Sequence, residues 1–370
     1  MQFTVQREAF LRPLRAVAGV VERKQSLAAP ILLNVLIRLQ GDRFFLTTTD
    51  QEIELVANGS LEEALEKDWA ITVPVRKLMD LCKALPEGTV LTFREEQDRV
   101  TIRAGRSRFT LSTLPASEFP NLEESIGKFK FSIPERHLKS LIEQIAFAMA
   151  EQDVRYYLNG MLLEVKNRHI YGVAADGHRL AFGKIALLSS ENSSARVIIP
   201  RKGILELQRV LGDSVEAVEV TLGDNHIRAI TSQVQLTSKL LDGRFPDYER
   251  IVLQEGDKVL TGSREVLKEA FQRAAALFSD RFRGVRLRLT EGCLKILATN
   301  AEQDEVEEDI EIDYVGGEFE IGFNVKYLID FLNIIQSERI KFIFSDPNSS
   351  ARIEGVGTEN GVYIIMPMRI

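Results

Sequence analysis

The chain has 370 residues, of which 45% are apolar and 27% charged, and it carries a net charge of −7. Those values suit a soluble globular protein of two or three domains. They exclude a helical membrane protein, because no apolar run approaches the ~18 residues a span requires.

The opening MQFTVQREAF lacks the basic-then-apolar layout of a signal peptide. Phe3 starts FTVQREAFLRPLRAV, a short strand running into an amphipathic helix with Phe10, Leu14, Val17 and Val21 on one face. Pro13 should kink this helix or leave one of its hydrogen bonds unmade. Further stripes follow at Leu78/Leu81/Cys82/Leu85, Leu138/Leu141/Ile142/Ile145, Ile204/Leu207/Leu211, Leu267/Phe271/Ala274/Phe278 and Leu328/Phe331/Leu332/Ile335. Each needs a sheet or another helix to cover it. Between the helices lie strand runs with turns at Gly41-Asp42, near Asn167-Arg168 and at Glu291-Gly292, which read as antiparallel meanders. Cys82 and Cys293 sit in apolar patterns and read as reduced core residues, so a cytoplasmic protein is expected.

These pieces recur. FTVQREAFLRPLRAV at Phe3, FSIPERHLKSLIEQI at Phe131 and LTGSREVLKEAFQRA at Leu260 repeat at a period of roughly 125 residues. A second series, ITVPVRKLMDLCKAL, VIIPRKGILELQRVL and EIGFNVKYLIDFLNI, runs through the middle of each unit. The expected fold is α+β, with three similar domains, 1–128, 129–257 and 258–370. Each domain is two β-α-β-β-β half-repeats with its two helices together on one side. The linkers fall in FPNLEESIGK and FPDYERIVLQEGDK.

Charge is unevenly placed. The six helical segments carry fifteen Lys/Arg, among them Arg201 and Lys202, against eight Asp/Glu, although the whole chain is acidic. If the helices share one side of the sheets, that side attracts a phosphate backbone and the other repels it. No zinc finger, basic zipper or recognition helix is evident, so the expected contact is independent of base sequence. Six helices, each ~10 Å across, enclose a bore of only about 10 Å, whereas twelve enclose about 28 Å. Duplex DNA is roughly 20 Å wide, so the estimate favours two chains in a closed ring.

The segments IEQIAFAMAEQDVRYYLNGMLLEV (Ile142 to Val165), ADGHRLA, PRKGILEL, TSKLLDGRFPDY, FRGVRLRL, IGFNVKYLIDFL and MPMRI resemble the bacterial sliding clamps, the β-subunit family of DNA polymerase III. The resemblance spans essentially the whole chain. It implies a head-to-tail homodimeric ring around duplex DNA, with helices lining the inner face and sheets outside, and no catalysis or cofactor. It also implies partners: the polymerase III catalytic subunit, other polymerases, an ATP-driven clamp loader, and mismatch-repair and ligase proteins, and it places the chain in the cytoplasm at the nucleoid.

By the same resemblance, DNA contacts fall on Lys24, Arg76, Gln152, Tyr156 and Tyr157, with Arg201 and Lys202 beside them. Lys and Arg pair with phosphates without reading bases, while Gln and Tyr can hydrogen-bond a backbone or stack on an unpaired base. A partner pocket is implied at Arg155, Leu158, Ala175, Gly177, His178, Arg179 and Leu180. The connector adds Pro246, Arg250 and Ile251 to that pocket, and the C-terminal region adds Ser350 and Ile364, Ile365, Met366, Pro367, Met368 and Arg369. It would accept short peptides with a glutamine and spaced leucine or phenylalanine anchors. The subunit interface would set Phe109 and Leu111 near Ala276 and Leu277, and Lys77, Arg106 and Arg108 opposite Glu305, Glu307 and Glu308.

Two other readings compete. Asp176 and His178 in ADGHR could form an acid/base pair, since residues two apart on a strand point the same way. A scaffold built from repeats would explain the period but not the helix charge.

Overall fold

The computed structural model describes residues 1–21, 29–122, 127–187, 194–253, 255–278, 283–300, 302–358 and 361–369. The helices are α1 (Arg7–Val17), α2 (Val75–Ala84), α3 (Glu135–Ile145), α4 (Arg201–Val210), α5 (Tyr248–Val252), α6 (Arg264–Ala275) and α7 (Val325–Ile334). Six are the expected ones. The short α5 falls where the sequence reads as a linker, and forms because Tyr248 and Val252, one turn apart, are both buried.

Around the six long helices the pattern of strand, helix and three strands repeats six times. The first runs Gln2–Gln6, α1, Asn34–Gln40, Arg43–Thr49 and Ile53–Ser60. The second runs Trp69–Pro74, α2, Val90–Glu96, Arg99–Ala104 and Ser107–Ser112. Each half-unit gives its first strand to the sheet of its neighbour. Gln2–Gln6 pairs with Val90–Glu96, and Trp69–Pro74 pairs with Asn34–Gln40. The same exchange joins Phe129–Pro134 to Ala217–Leu222 and Ala195–Pro200 to Gly160–Lys166. It recurs between Lys258–Ser263 and Arg339–Phe344, and between Phe319–Asn324 and Gly284–Thr290. Two half-units are therefore interlocked, and neither completes a sheet without the other.

The three expected turns are tight hairpins. Gln40 pairs with Arg43, Lys166 with His169 and Thr290 with Cys293. Gly41 and Gly292 take φ of +59° and +71°, and Asn167 and Arg168 take +50° and +61°. Two-residue loops need this left-handed backbone to match the strand twist.

The helical stripes form the core. Phe10, Leu14 and Val17 of α1 are fully buried, and the Phe10 ring lies 5.5 Å from Phe44 and 5.2 Å from Phe93. Helix α1 continues through Pro13, which leaves the Ala9 carbonyl without its helical amide donor. Helix α2 packs on α1 and α6 on α7, as the paired stripes require. In α2 the buried face includes Met79, which the stripe omitted, while Leu81 and Leu85 are only half-buried. Cys82 is buried, and burial pushes its thiol pKa up to about 12; Cys293 is partly exposed, and both are free.

The chain groups into two compact units. One holds Met1–Leu138 and Leu205–Leu240; the other holds Lys139–Ile204 and Leu241–Ile370. The division falls inside α3 and α4, because each half of the middle repeat is hydrogen-bonded into a long sheet with one of its neighbours. In the first unit, Ile53–Ser60 pairs edge to edge with Val234–Lys239, making one eight-stranded sheet. In the second, Arg179–Ala186 pairs with Gly361–Ile365, making one nine-stranded sheet. These two joints are each made by the final strands of two half-units. Among the described residues, the two remaining final strands, Ser107–Ser112 and Glu305–Glu311, are open sheet edges. Among the described residues no helix is long and apolar enough to cross a membrane.

Candidate functional site

The second joint gathers most of the predicted pocket. Strand His169–Ala175 ends at Ala175, the chain turns through Asp176, Gly177 and His178, and Arg179 begins the joint strand. Asp176 organises the turn: its Oδ1 accepts from the backbone N–H of His178 at 2.9 Å and of Arg179 at 3.0 Å. Gly177 sits at φ +88°, and a Cβ there would lie 2.4 Å from an Arg155 guanidinium nitrogen. The backbone there favours glycine, and a larger residue would have to push the Arg155 side chain aside.

Leu158, Ala175, Leu180 and Ile364 lie in one buried cluster with Phe245, Tyr248 and Val252, and Ile251 packs on it. Four segments far apart in sequence thus converge on one buried apolar cluster. Its rim is adaptable: Met366 and Met368 are exposed thioethers beside the buried Ile364 and Ile365. The Met366 N–H donates to the His178 carbonyl at 2.8 Å, which ties the tail to the turn. Pro246, Arg250 and Arg369 are exposed, and Ser350 and Pro367 half-buried.

Arg179 is the most constrained side chain of the site. Its Nε donates to Asp176 Oδ2 at 3.0 Å, its Nη1 to Asp330 Oδ2 at 2.6 Å and its Nη2 to the Phe147 carbonyl at 3.0 Å. Its guanidinium also lies over the rings of Tyr327 at 4.4 Å and Phe147 at 5.2 Å. Phe147, Tyr327 and Asp330 escaped the sequence reading. Tyr327 and Asp330 were legible only as polar-face positions of α7, and nothing local connects them to Arg179.

The acid/base pairing of Asp176 with His178 is corrected by this geometry. The two residues lie in a turn rather than on a strand, and Asp176 is occupied by Arg179 and two backbone amides. The His178 ring stacks instead near Tyr327, with centroids 6.4 Å apart.

The predicted DNA residues divide. Lys24 lies outside the described residues. Arg76, exposed at the start of α2, donates to the Val21 carbonyl at 3.2 Å. Gln152 and Tyr156 are exposed on the loop leading to Leu158, and Gln152 takes φ +57°. Tyr157 is half-buried against the pocket cluster. Arg201 anchors the loop, donating to the Met149 carbonyl at 3.2 Å and to Glu151 at 2.6 Å, and Lys202 is half-buried beside it in sequence. Arg155 clasps Asp153 and holds that carboxyl down to about 2. Loop and pocket thus share one segment, residues 149–158.

The predicted interface residues lie on and beside the open edges. Phe109 and Leu111 are half-buried on Ser107–Ser112, with Arg106 and Arg108 exposed; Lys77 is exposed on α2. Glu305–Glu311 carries five carboxylates in seven residues. Glu307 is paired with Lys295 and Glu308 with Arg273, and the Lys295 hydrogen bond holds the Glu307 carboxyl below its ordinary range. Ala276, exposed, and Leu277, half-buried, follow α6, and Glu305 is exposed.

Comparison with known proteins gives a uniform result. Models of the N-terminal, central and C-terminal domains of the DNA polymerase III beta subunit match residues 1–123, 132–247 and 249–369. The beta sliding clamp of Pseudomonas aeruginosa is 51% identical over all of both chains, and that of Escherichia coli 45%. Among solved structures, the P. aeruginosa subunit superposes with a TM-score of 0.96 at 50% identity, covering all of both chains. A P. aeruginosa clamp bound to griselimycin superposes equally well, and the Caulobacter crescentus polymerase III beta gives 0.94 at 33% identity, both again over full length. The chain belongs to the bacterial DNA polymerase III beta-subunit family, the sliding clamps, which are non-catalytic processivity subunits of the polymerase.

Proposed function

We propose that two copies of this chain close head to tail into a ring that encircles duplex DNA, slides without reading sequence and tethers polymerases through the second-joint pocket. One observation carries the reading. Of six final strands, four are joined pairwise in two antiparallel joints, and the two left open carry complementary charge. Pairing Ser107–Ser112 of one copy with Glu305–Glu311 of another repeats the joint already used twice. It buries Phe109 and Leu111 and sets Lys77, Arg106 and Arg108 against Glu305, Glu307 and Glu308. Glu307 and Glu308 would exchange or share the in-chain partners they hold now.

The division into domains 1–128, 129–257 and 258–370 belongs to this reading, with the basic helices facing the DNA and Arg76, Gln152, Tyr156, Tyr157, Arg201 and Lys202 as contacts. The apolar cluster with its methionine rim suits peptides from the polymerase catalytic subunit, the clamp loader and repair proteins, each met in turn in the cytoplasm.

The test is retention on DNA. Protein loaded on a nicked circle should remain until the circle is cut, then be lost from the ends. Equal loss from circular and linear DNA would overturn encirclement.

A further inference from the structure

The first joint is built on the same backbone plan as the pocket joint. Asp50 stands where Asp176 stands: its Oδ1 accepts from the N–H of Glu52 at 2.9 Å and of Ile53 at 2.7 Å. The Asp50 N–H donates to the Ile53 carbonyl as the Asp176 N–H does to Arg179. Ile53 pairs with Ser238 as Arg179 pairs with Ile365. The Lys239 N–H donates to the Glu52 carbonyl at 2.9 Å, as Met366 does to His178 at 2.8 Å. The connectors also correspond, with buried Phe119 followed by Pro120, Asn121 and Leu122, and buried Phe245 followed by Pro246, Asp247 and Tyr248.

At this replicated place lies a cavity of about 290 Å³, lined by Thr49, Gln51, Pro120, Asn121, Leu122, His226 and Lys239. By register, Thr49, Gln51, Pro120, His226 and Lys239 occupy the positions that Ala175, Gly177, Pro246, Ser350 and Met366 occupy in the second joint. The place is kept and the chemistry is replaced. A small apolar residue becomes a hydroxyl, a thioether becomes an ammonium, and glycine becomes glutamine, which holds φ +74°. The lining has one ammonium, one imidazole, one hydroxyl and two carboxamides, and no carboxylate. Lys239 pairs at 3.2 Å with the exposed Glu52, outside the lining. Such a surface pair is worth little and is easily exchanged.

We propose that the first joint is a second binding site, which takes an extended acidic peptide by placing an aspartate or glutamate carboxylate on Lys239, with Gln51 as a further donor and a small apolar side chain against Pro120 and Leu122. The cavity is at the small end for ligand sites, so it holds one or two side chains rather than a cofactor. The site favours a small side chain over the leucine/phenylalanine anchors of the other pocket, because a cavity of about 290 Å³ that also takes a carboxylate leaves little room for them. The inference takes from the partner pocket only its position in the repeat.

The test uses the full chain and a fluorescein-labelled Asp-Ala-Asp-Ala peptide, followed by anisotropy, with its Asn-Ala-Asn-Ala twin as control. A saturating glutamine/leucine/phenylalanine peptide is present throughout, and its own binding, measured separately, reports on the other pocket. The acidic peptide should bind with that peptide present, and its carboxamide twin roughly tenfold more weakly, the worth of one charge-assisted hydrogen bond. Lys239→Gln should cost the same factor, and Gln51→Gly, which leaves the charge in place, should cost less. Absence of binding at millimolar protein, displacement by the other peptide, displacement by free acetate at equal carboxylate concentration, or full binding to Lys239→Gln would each overturn the proposal.

Discussion

The two joints share every backbone hydrogen bond described above, yet one encloses an apolar cluster and the other a polar cavity. In the second joint the turn carries Gly177, His178 and Arg179, and the strand continues with buried Leu180. In the first, the same positions hold Gln51, Glu52, Ile53 and Glu54, and Glu54 is a buried carboxylate that accepts from the Leu122 N–H at 3.2 Å. The shared backbone plan brings the capped turn, the joint strand and the connector together at one place in each joint. The side chains decide what chemistry that place presents.

Removing the capping aspartate tests that separation most severely. Asp176→Ala and Asp50→Ala each strand two backbone amides, and each should cost about 2 kcal/mol in denaturant unfolding. Only Asp176→Ala also removes a hydrogen-bond partner of Arg179, which keeps Asp330 and the Phe147 carbonyl, so it alone should weaken binding of the glutamine/leucine/phenylalanine peptide, by about tenfold. Equal loss from both variants would mean the joints are coupled rather than separately specified.

Exchanging the turn residues is milder. Gly177→Gln copies the first joint into the second, where the side chain meets Arg155 and the left-handed backbone costs about 1 kcal/mol. Peptide affinity should fall several-fold through displacement of Arg155. Gln51→Gly relieves the same conformation and should leave Tm level or slightly raised, with affinity for the glutamine/leucine/phenylalanine peptide unchanged. A clear drop in Tm would show that the Gln51 side chain holds the first joint together.

The smallest effect concerns Glu54. Burial raises its pKa above the ordinary 4.5, against the Leu122 hydrogen bond and the attraction of Arg38 and Arg228. A carboxyl with a raised folded-state pKa is penalised once ionised. The penalty is present above the folded pKa and absent below the ordinary value. Glu54→Gln keeps an acceptor for Leu122 without the charge, so it should raise Tm slightly near pH 8, with the gain vanishing by about pH 4. A gain that persists in acid would place the effect in packing rather than in ionisation.

Much of the local structure was legible. The helical stripes, the three hairpin turns and the sixfold strand-helix-strand pattern all depend on residues close in sequence, where a period of 3.6 or 2 reports directly which face is buried. The apolar residues Leu158, Leu180 and Ile364 could be assigned to one site only through family resemblance, because they come from three separate segments. Asp330 and Phe147 were invisible for the same reason: their link to Arg179 spans 151 and 32 residues of chain. The acid/base reading of ADGHR failed because a capped turn, not a strand, carries it.

The sequence alone determined the repeat, the α+β class, the basic bias of the helices and the family. Those follow from local periodicity, composition and extended motifs. Tertiary structure decided that half-units exchange their first strands, that Ala57 meets Val234 and Arg179 meets Ile365 across the joints, and that Ser107–Ser112 and Glu305–Glu311 stay open. An alternating strand records which face is buried but not which edge it will meet. Edge pairing is made by backbone groups that every residue except proline carries alike.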